Sequence, residues 1–151
     1  MKIIVDDLQG PEIAALLEAH LSLMRSQSPP ESVHALDLDK LREPDVTFWT
    51  VWDKGELLGC GALKQLGSGD GEIKSMHTAK AARGRGIAAR LLTHLENHAR
   101  SQNYRRLSLE TGSQDGFAPA RALYCKFGYT ICPPFGDYTD DPNSTFMTKE
   151  L

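Results

Sequence analysis

Apolar residues recur along this chain at two spacings, and the switches between them mark out its elements. Ile13, Leu16, Leu17, Leu21 and Met24 fall on one side of a 3.6-residue repeat. They predict a helix that opens at Pro11, where a missing N–H costs nothing, and breaks at Ser26-Gln27-Ser28-Pro29-Pro30. Lys2 to Val5 is a short β-type run ahead of it. A weaker helix is expected from Ser32 to about Leu41, with Val33, Leu36 and Leu41 inward. From Val46 to Trp52 the spacing changes to two: Thr47, Trp49 and Val51 alternate with Val46, Phe48 and Thr50. Asp53-Lys54-Gly55 reads as a turn, and Glu56 to Leu66 as the partner strand of a hairpin. Gly59 and Gly61 share one face of that strand, which implies close approach by another element or a bulge. A second turn, Gly67 to Gly71, leads to a strand ending at Thr78, completing an antiparallel meander.

Helical spacing then returns with Ile87, Leu91, Leu92, Leu95 and Ala99, ending near Gln102-Asn103. Arg105 to Glu110 alternates again, so strand, helix and strand imply a right-handed parallel crossover. A last helix, Pro119 to Phe127, stops at Gly128, a residue suited to a left-handed C-terminus. Short strands at Tyr129 to Cys132 and near Thr145 to Lys149 finish the chain.

The chemistry concentrates where the third long helix begins. Arg83-Gly84-Arg85-Gly86 is a basic, glycine-rich turn feeding directly into Ile87. Glycines let backbone N–H groups approach a ligand, and a helix start carries unpaired donors and partial positive charge. The run reads as a pyrophosphate cradle. It is neither G-x-x-x-x-G-K-[ST], since Ile87 follows Gly86, nor G-x-G-x-x-G, since position 89 is Ala89; a nucleoside-triphosphate enzyme is therefore disfavoured. Composition narrows the ligand. In 151 residues with net charge −3, these cations are a local patch on an acidic protein, which favours a small anionic ligand over nucleic acid or a membrane surface. The length fits one domain, 1–151. Cys60, Cys125 and Cys132 show no paired spacing and read as reduced thiols of a cytoplasmic protein. No apolar run reaches membrane-spanning length, and the start lacks a signal-peptide core.

Position by position the turn fits R-x-x-G-x-A, with Arg83, Gly86 and Ala88. Residues Ala120, Leu123, Tyr124, Lys126, Gly128 and Tyr129 fit A-x-x-L-Y-x-K-x-G-[FY]. Both motifs, their separation and the order of elements resemble the GCN5-related N-acetyltransferase family. That resemblance implies an α/β (α+β) fold: a mixed, mostly antiparallel sheet of six to seven strands, flanked by about four helices, with a splay between the fourth and fifth strands. It implies acetyl-CoA as cosubstrate, no metal, and transfer of an acyl group to a primary amine of a small molecule or peptide. Backbone groups of Arg83, Gly84, Arg85, Gly86, Ile87 and Ala88 would hold the pyrophosphate. Met76, His77 and Thr78 would face the pantetheine arm and thioester, with an oxyanion donor near Met76 or His77. Segments Glu72 to Met76, Leu109 to Gly112 and Phe135 to Tyr138 resemble a bacterial subgroup whose acceptors have no name.

An amine of pKa ~10.4 is almost wholly protonated at pH 7, so a base must act. Glu72, His77 and Glu110 are the candidates, with Glu72 first because the family often places a carboxylate on this strand. His77, unperturbed, would titrate near neutrality. Tyr124 stands at the family's general-acid position. The family's asparagine seven residues before that tyrosine is here Phe117, so its bond to pantetheine is lost unless Ser113, Gln114 or water replaces it. Glu31, His34, Asp37, Asp137 and Tyr138 are candidate acceptor contacts, and the acids among them suggest a cationic acceptor. His94 and His98 lie one turn apart but match no metalloprotease motif, and are expected on a wet helix face. Asp137, Asp140 and Asp141 lack calcium-loop spacing. The rival reading is a non-catalytic acyl-CoA sensor acting through a protein partner. A monomer or homodimer is expected in either case.

Overall fold

The computed structural model describes residues 1–29 and 38–151. Seven strands form one sheet: β1 (Lys2–Val5), β2 (Val46–Asp53), β3 (Glu56–Gly67), β4 (Asp70–Thr78), β5 (Arg106–Gly112), β6 (Thr130–Ile131) and β7 (Ser144–Glu150). The helices are α1 (Pro11–Gln27), α2 (Leu38–Leu41), α3 (Ile87–Ser101) and α4 (Ala118–Lys126). Strand order is β1-β2-β3-β4-β5-β7-β6, with β4 and β5 parallel and every other neighbour antiparallel. The expected sheet and meander are present. The strand expected at Tyr129 to Cys132 shortens to two residues, because Tyr129 turns inward under Gly128 (φ +96°) and is buried. Most of the helix expected from Ser32, with Glu31, His34 and Asp37, lies outside the described residues.

The central strands are covered on both faces. Ile13, Leu16 and Leu17 of α1 and Leu41 of α2 pack with Phe48, Cys60 and Ala62. On the other face Leu91, Leu92, Leu95 and Ala99 of α3 pack with Trp49, Val51, Leu63, Ile73, Leu107 and Leu109. Gly61 allows α3 to close on the sheet: a Cβ there would lie 2.5 Å from Met76 Sδ and 3.0 Å from Leu91 Cδ2. His94 and His98 are not on a wet face. They are half-buried, with ring centroids 5.5 and 4.9 Å from that of Trp49.

Two irregularities in β4 shape the functional region. Pairing with β5 runs from Asp70 opposite Arg106 to Ile73 opposite Leu109, then stops, although both strands continue. The strands part there, as the resemblance implies. The register with β3 also shifts: Ala62 faces Lys74, but Cys60 faces His77. The extra residue is accommodated at Ser75, whose φ is +57°, and the Cys60 thiol donates to the Ser75 carbonyl at 3.2 Å. Side chains alternate faces along a strand, so one inserted residue flips everything beyond it. Glu72 and Lys74 face α1, and the bulge turns His77 to that side as well.

Candidate active site

One cavity of about 790 Å³ follows the parting of the strands. Its walls include Ser75, Met76, His77 and Thr78 of β4, and Glu110, Thr111 and Gly112 of β5. At one end it reaches Arg83 and Ala88 at the start of α3; at the other, α1, α2 and the loop carrying Asp137 and Tyr138.

The start of α3 is built from backbone. Gly84 and Gly86 have φ of +79° and +77°, and Gly86 is the residue before the first helical turn. A Cβ at either would meet nothing within 4 Å, so glycine is required by the left-handed conformation and not by crowding. Among the described residues nothing accepts from the N–H groups of residues 84 to 89. These donors face the anion-favouring end of the helix dipole. Arg85 is turned away, pairing with Asp53 at 3.5 Å, while Arg83 lines the cavity. The Ser75 hydroxyl is buried without a partner among the described residues. Spare amides, an unpaired length of β4 edge and an orphaned hydroxyl together fit an extended, phosphate-bearing arm such as that of a CoA thioester.

Side chains make the other end. Glu72 is 5% exposed and fixed through one oxygen: Oε2 accepts from the Tyr138 hydroxyl at 2.6 Å and from Lys74 Nζ at 3.2 Å. Oε1 takes part in neither bond. Burial and the Glu72 carboxylate push the Tyr138 phenol well up. Tyr138 packs with Phe135 and Phe146 and so hangs its loop over β4. It was expected as an acceptor contact; the structure places it on the cavity wall, bonded to Glu72. Glu110 stands on the opposite wall and raises the Tyr138 phenol electrostatically. Asp137 lies on the cavity rim and is exposed.

His77 departs from expectation. Its Nδ1 lies 3.0 Å from Nδ1 of His20 on α1, so one ring donates and the other accepts. Burial, then the Arg83 cation, lowers His77 to about 4; burial, then His77, lowers His20 to about 3. His77 is therefore neutral at pH 7 and does not titrate near neutrality. His20 had no role in the sequence reading, although it interrupts the stripe of Ile13, Leu17 and Met24.

Tyr124 of α4 is 6% exposed, its ring edge-on to Tyr129 at 5.7 Å. It borders the cavity, and its hydroxyl bonds to none of the described residues. Burial pushes its phenol up, so it keeps its proton at neutral pH. Phe117 also lines the cavity, its ring filling the place a Gly112 Cβ would take. Ser113 donates to the Pro142 carbonyl at 2.6 Å and Gln114 Nε2 to Asn143 at 3.0 Å, while Gln114 Oε1 is buried without a partner among the described residues. Among the described residues no group of three His, Cys, Asp or Glu is arranged around a common metal position.

A splayed sheet with an amide-lined helix start on one side and a carboxylate and a phenol on the other defines an acyl-CoA-dependent transferase. The family comparison agrees: residues 13–129 match the acetyltransferase (GNAT) family, and the chain belongs to it. It is similar to an uncharacterised N-acetyltransferase, YsnE of Bacillus subtilis strain 168, at 52% identity over 100% of both chains. A crystal structure from Klebsiella pneumoniae superposes with TM-score 0.85 at 32% identity, covering 99% of this chain and 97% of that one. A GNAT acetyltransferase from Elizabethkingia anophelis, solved with acetyl-CoA bound, shares the fold at TM-score 0.72 and 20% identity, covering 99% and 97%. The protein is an acetyltransferase of GNAT type.

Proposed function

We propose that the chain transfers the acetyl group of acetyl-CoA directly to a primary amine of a small molecule or peptide. What supports this most is the single cavity that joins the spare amides at residues 84 to 89 to Glu72 and Tyr124. Acetyl-CoA supplies the activated acyl group. Arg83 and the backbone from Gly84 to Ala88 hold its pyrophosphate, and Met76, His77 and Thr78 border its thioester. Glu72 takes a proton from the ammonium, directly or through water, using the oxygen left free of Tyr138 and Lys74. The neutral nitrogen then attacks the carbonyl carbon; as the C–S bond breaks, Tyr124 gives its proton to the departing sulfur, and the second proton of the nitrogen passes through water to restore Tyr124. His77, neutral and tied to His20, borders the site and orients ligands, and Glu110 closes the far wall. Three free cysteines and a CoA cosubstrate suit a cytoplasmic setting.

The test is thiol release from acetyl-CoA with a panel of amines. Tyr124→Phe should lower kcat by ~100-fold, as loss of a proton donor does, while the calorimetric Kd for acetyl-CoA changes little. Unaltered turnover in Tyr124→Phe would remove its role. Acetyl-CoA binding without turnover on any amine would favour the sensor reading.

A further inference from the structure

Two lysines lining the acceptor end have no ion-pair partner among the described residues, although Glu72, Glu110 and Asp137 line the same cavity. Lys64 on β3 sits directly opposite Glu72 on β4, the arrangement in which opposite charges normally pair. They do not pair: Glu72 Oε2 accepts from Tyr138 and Lys74, and no ion pair joins Lys64 to the other oxygen. Lys64, half-buried, and Lys40, exposed on α2, both line the cavity, and neither has a carboxylate within ion-pair distance among the described residues. Leu23, Met24, Leu41 and Val46 line the same stretch and give it an apolar wall.

The sheet register sets the length available. Cys60 faces His77 at the bulge and Lys64 faces Glu72, so four residues of β3, ~13 Å of strand, separate the thioester end from Lys64. A lysine side chain can bridge much of that distance. We propose that the acceptor amine also bears a carboxylate on an apolar body, as an amino acid or short peptide does, and that Lys64, assisted by Lys40, holds it. It differs from the cationic acceptor expected from the acidic residues of the sequence, of which Glu31 and Asp37 lie outside the described residues and Asp137 lines the cavity. It rests on the transferase reading of the same site.

The experiment compares each amino acid with its own carboxamide, and with a polyamine, by thiol release from acetyl-CoA. The carboxamide has the less basic amine and so starts with the advantage. The acid should nevertheless be preferred by at least about tenfold in kcat/KM, the value of one charged hydrogen bond. Lys64→Gln should shrink that preference to under about threefold through KM, Lys64→Arg should restore it, and Lys40→Gln should give a smaller loss. Equal or better turnover of carboxamide or polyamine overturns the inference and leaves the transferase reading standing. A preference unaltered in both lysine variants also overturns it. If acetyl-CoA binds but no amine is acylated, the transferase reading fails and this inference with it.

Discussion

The two ends of the cavity are made of different material. At the start of α3 the spare polar groups are peptide N–H groups, presented by two glycines in left-handed conformation. At the other end the polar groups are side chains drawn from β3, β4, α1 and the loop after β6. A backbone site is fixed once the chain turns; a side-chain site depends on partners distant in sequence, such as Glu72 and Tyr138, 66 residues apart. The first suits a ligand common to a whole family, and the second suits one that differs between members.

That contrast can be tested from its strongest consequence downward. Glu72→Gln keeps the shape of the wall and removes its base; kcat should fall ~100-fold with little change in acetyl-CoA affinity. A fall confined to KM would mean that Glu72 only positions the acceptor. Gly86→Val should act at the other end. A β-branched residue at φ +77° is strained by ~1–3 kcal/mol, and its side chain enters space meant for the phosphate. Acetyl-CoA affinity, read by calorimetry, should drop at least about tenfold, and an unaltered Kd would break the backbone account.

The histidine pair separates the ends by pH. His20 and His77 are held down to about 3 and about 4 in the fold, against 6.5 when unfolded. The unfolded chain therefore binds more protons below pH 6.5, so stability is intact above that value and is lost as pH falls toward 4. Melting temperature should decrease by roughly 5 °C between pH 7 and pH 5, and by less in His20→Gln. An equal decrease in that variant would place the effect elsewhere. The smallest change is expected for Arg85→Ala. Its partner is Asp53, so acetyl-CoA Kd should alter by no more than about threefold.

Legibility in the sequence follows the same divide. The meander and the α3 turn could be read because each is specified by near neighbours in sequence, and the crossover because the strand, helix and strand that make it follow one another directly, although β4 and β5 pair across 36 residues. The splay after Ile73 came only through family resemblance, since nothing in Lys74-Ser75-Met76 announces a bulge. Glu72 and Tyr138 were both named, but their hydrogen bond needed the fold. His20 and Lys64 did leave a signal: each is a polar residue on the inward face of its element, in line with Leu17 and Met24 or with Cys60 and Ala62. Sequence position said that they were out of place, and only the packing said what they face.

Beyond Ile73, β4 keeps a length of strand edge with no neighbour on its β5 side, in the middle of a sheet. Exposed edges elsewhere invite other chains. This one opens into a walled cavity of about 790 Å³. On the proposed reading the cosubstrate would lie there as a removable eighth strand, and a ligand bound only by the folded state stabilises it by ~2.7 kcal/mol at a hundredfold excess over Kd.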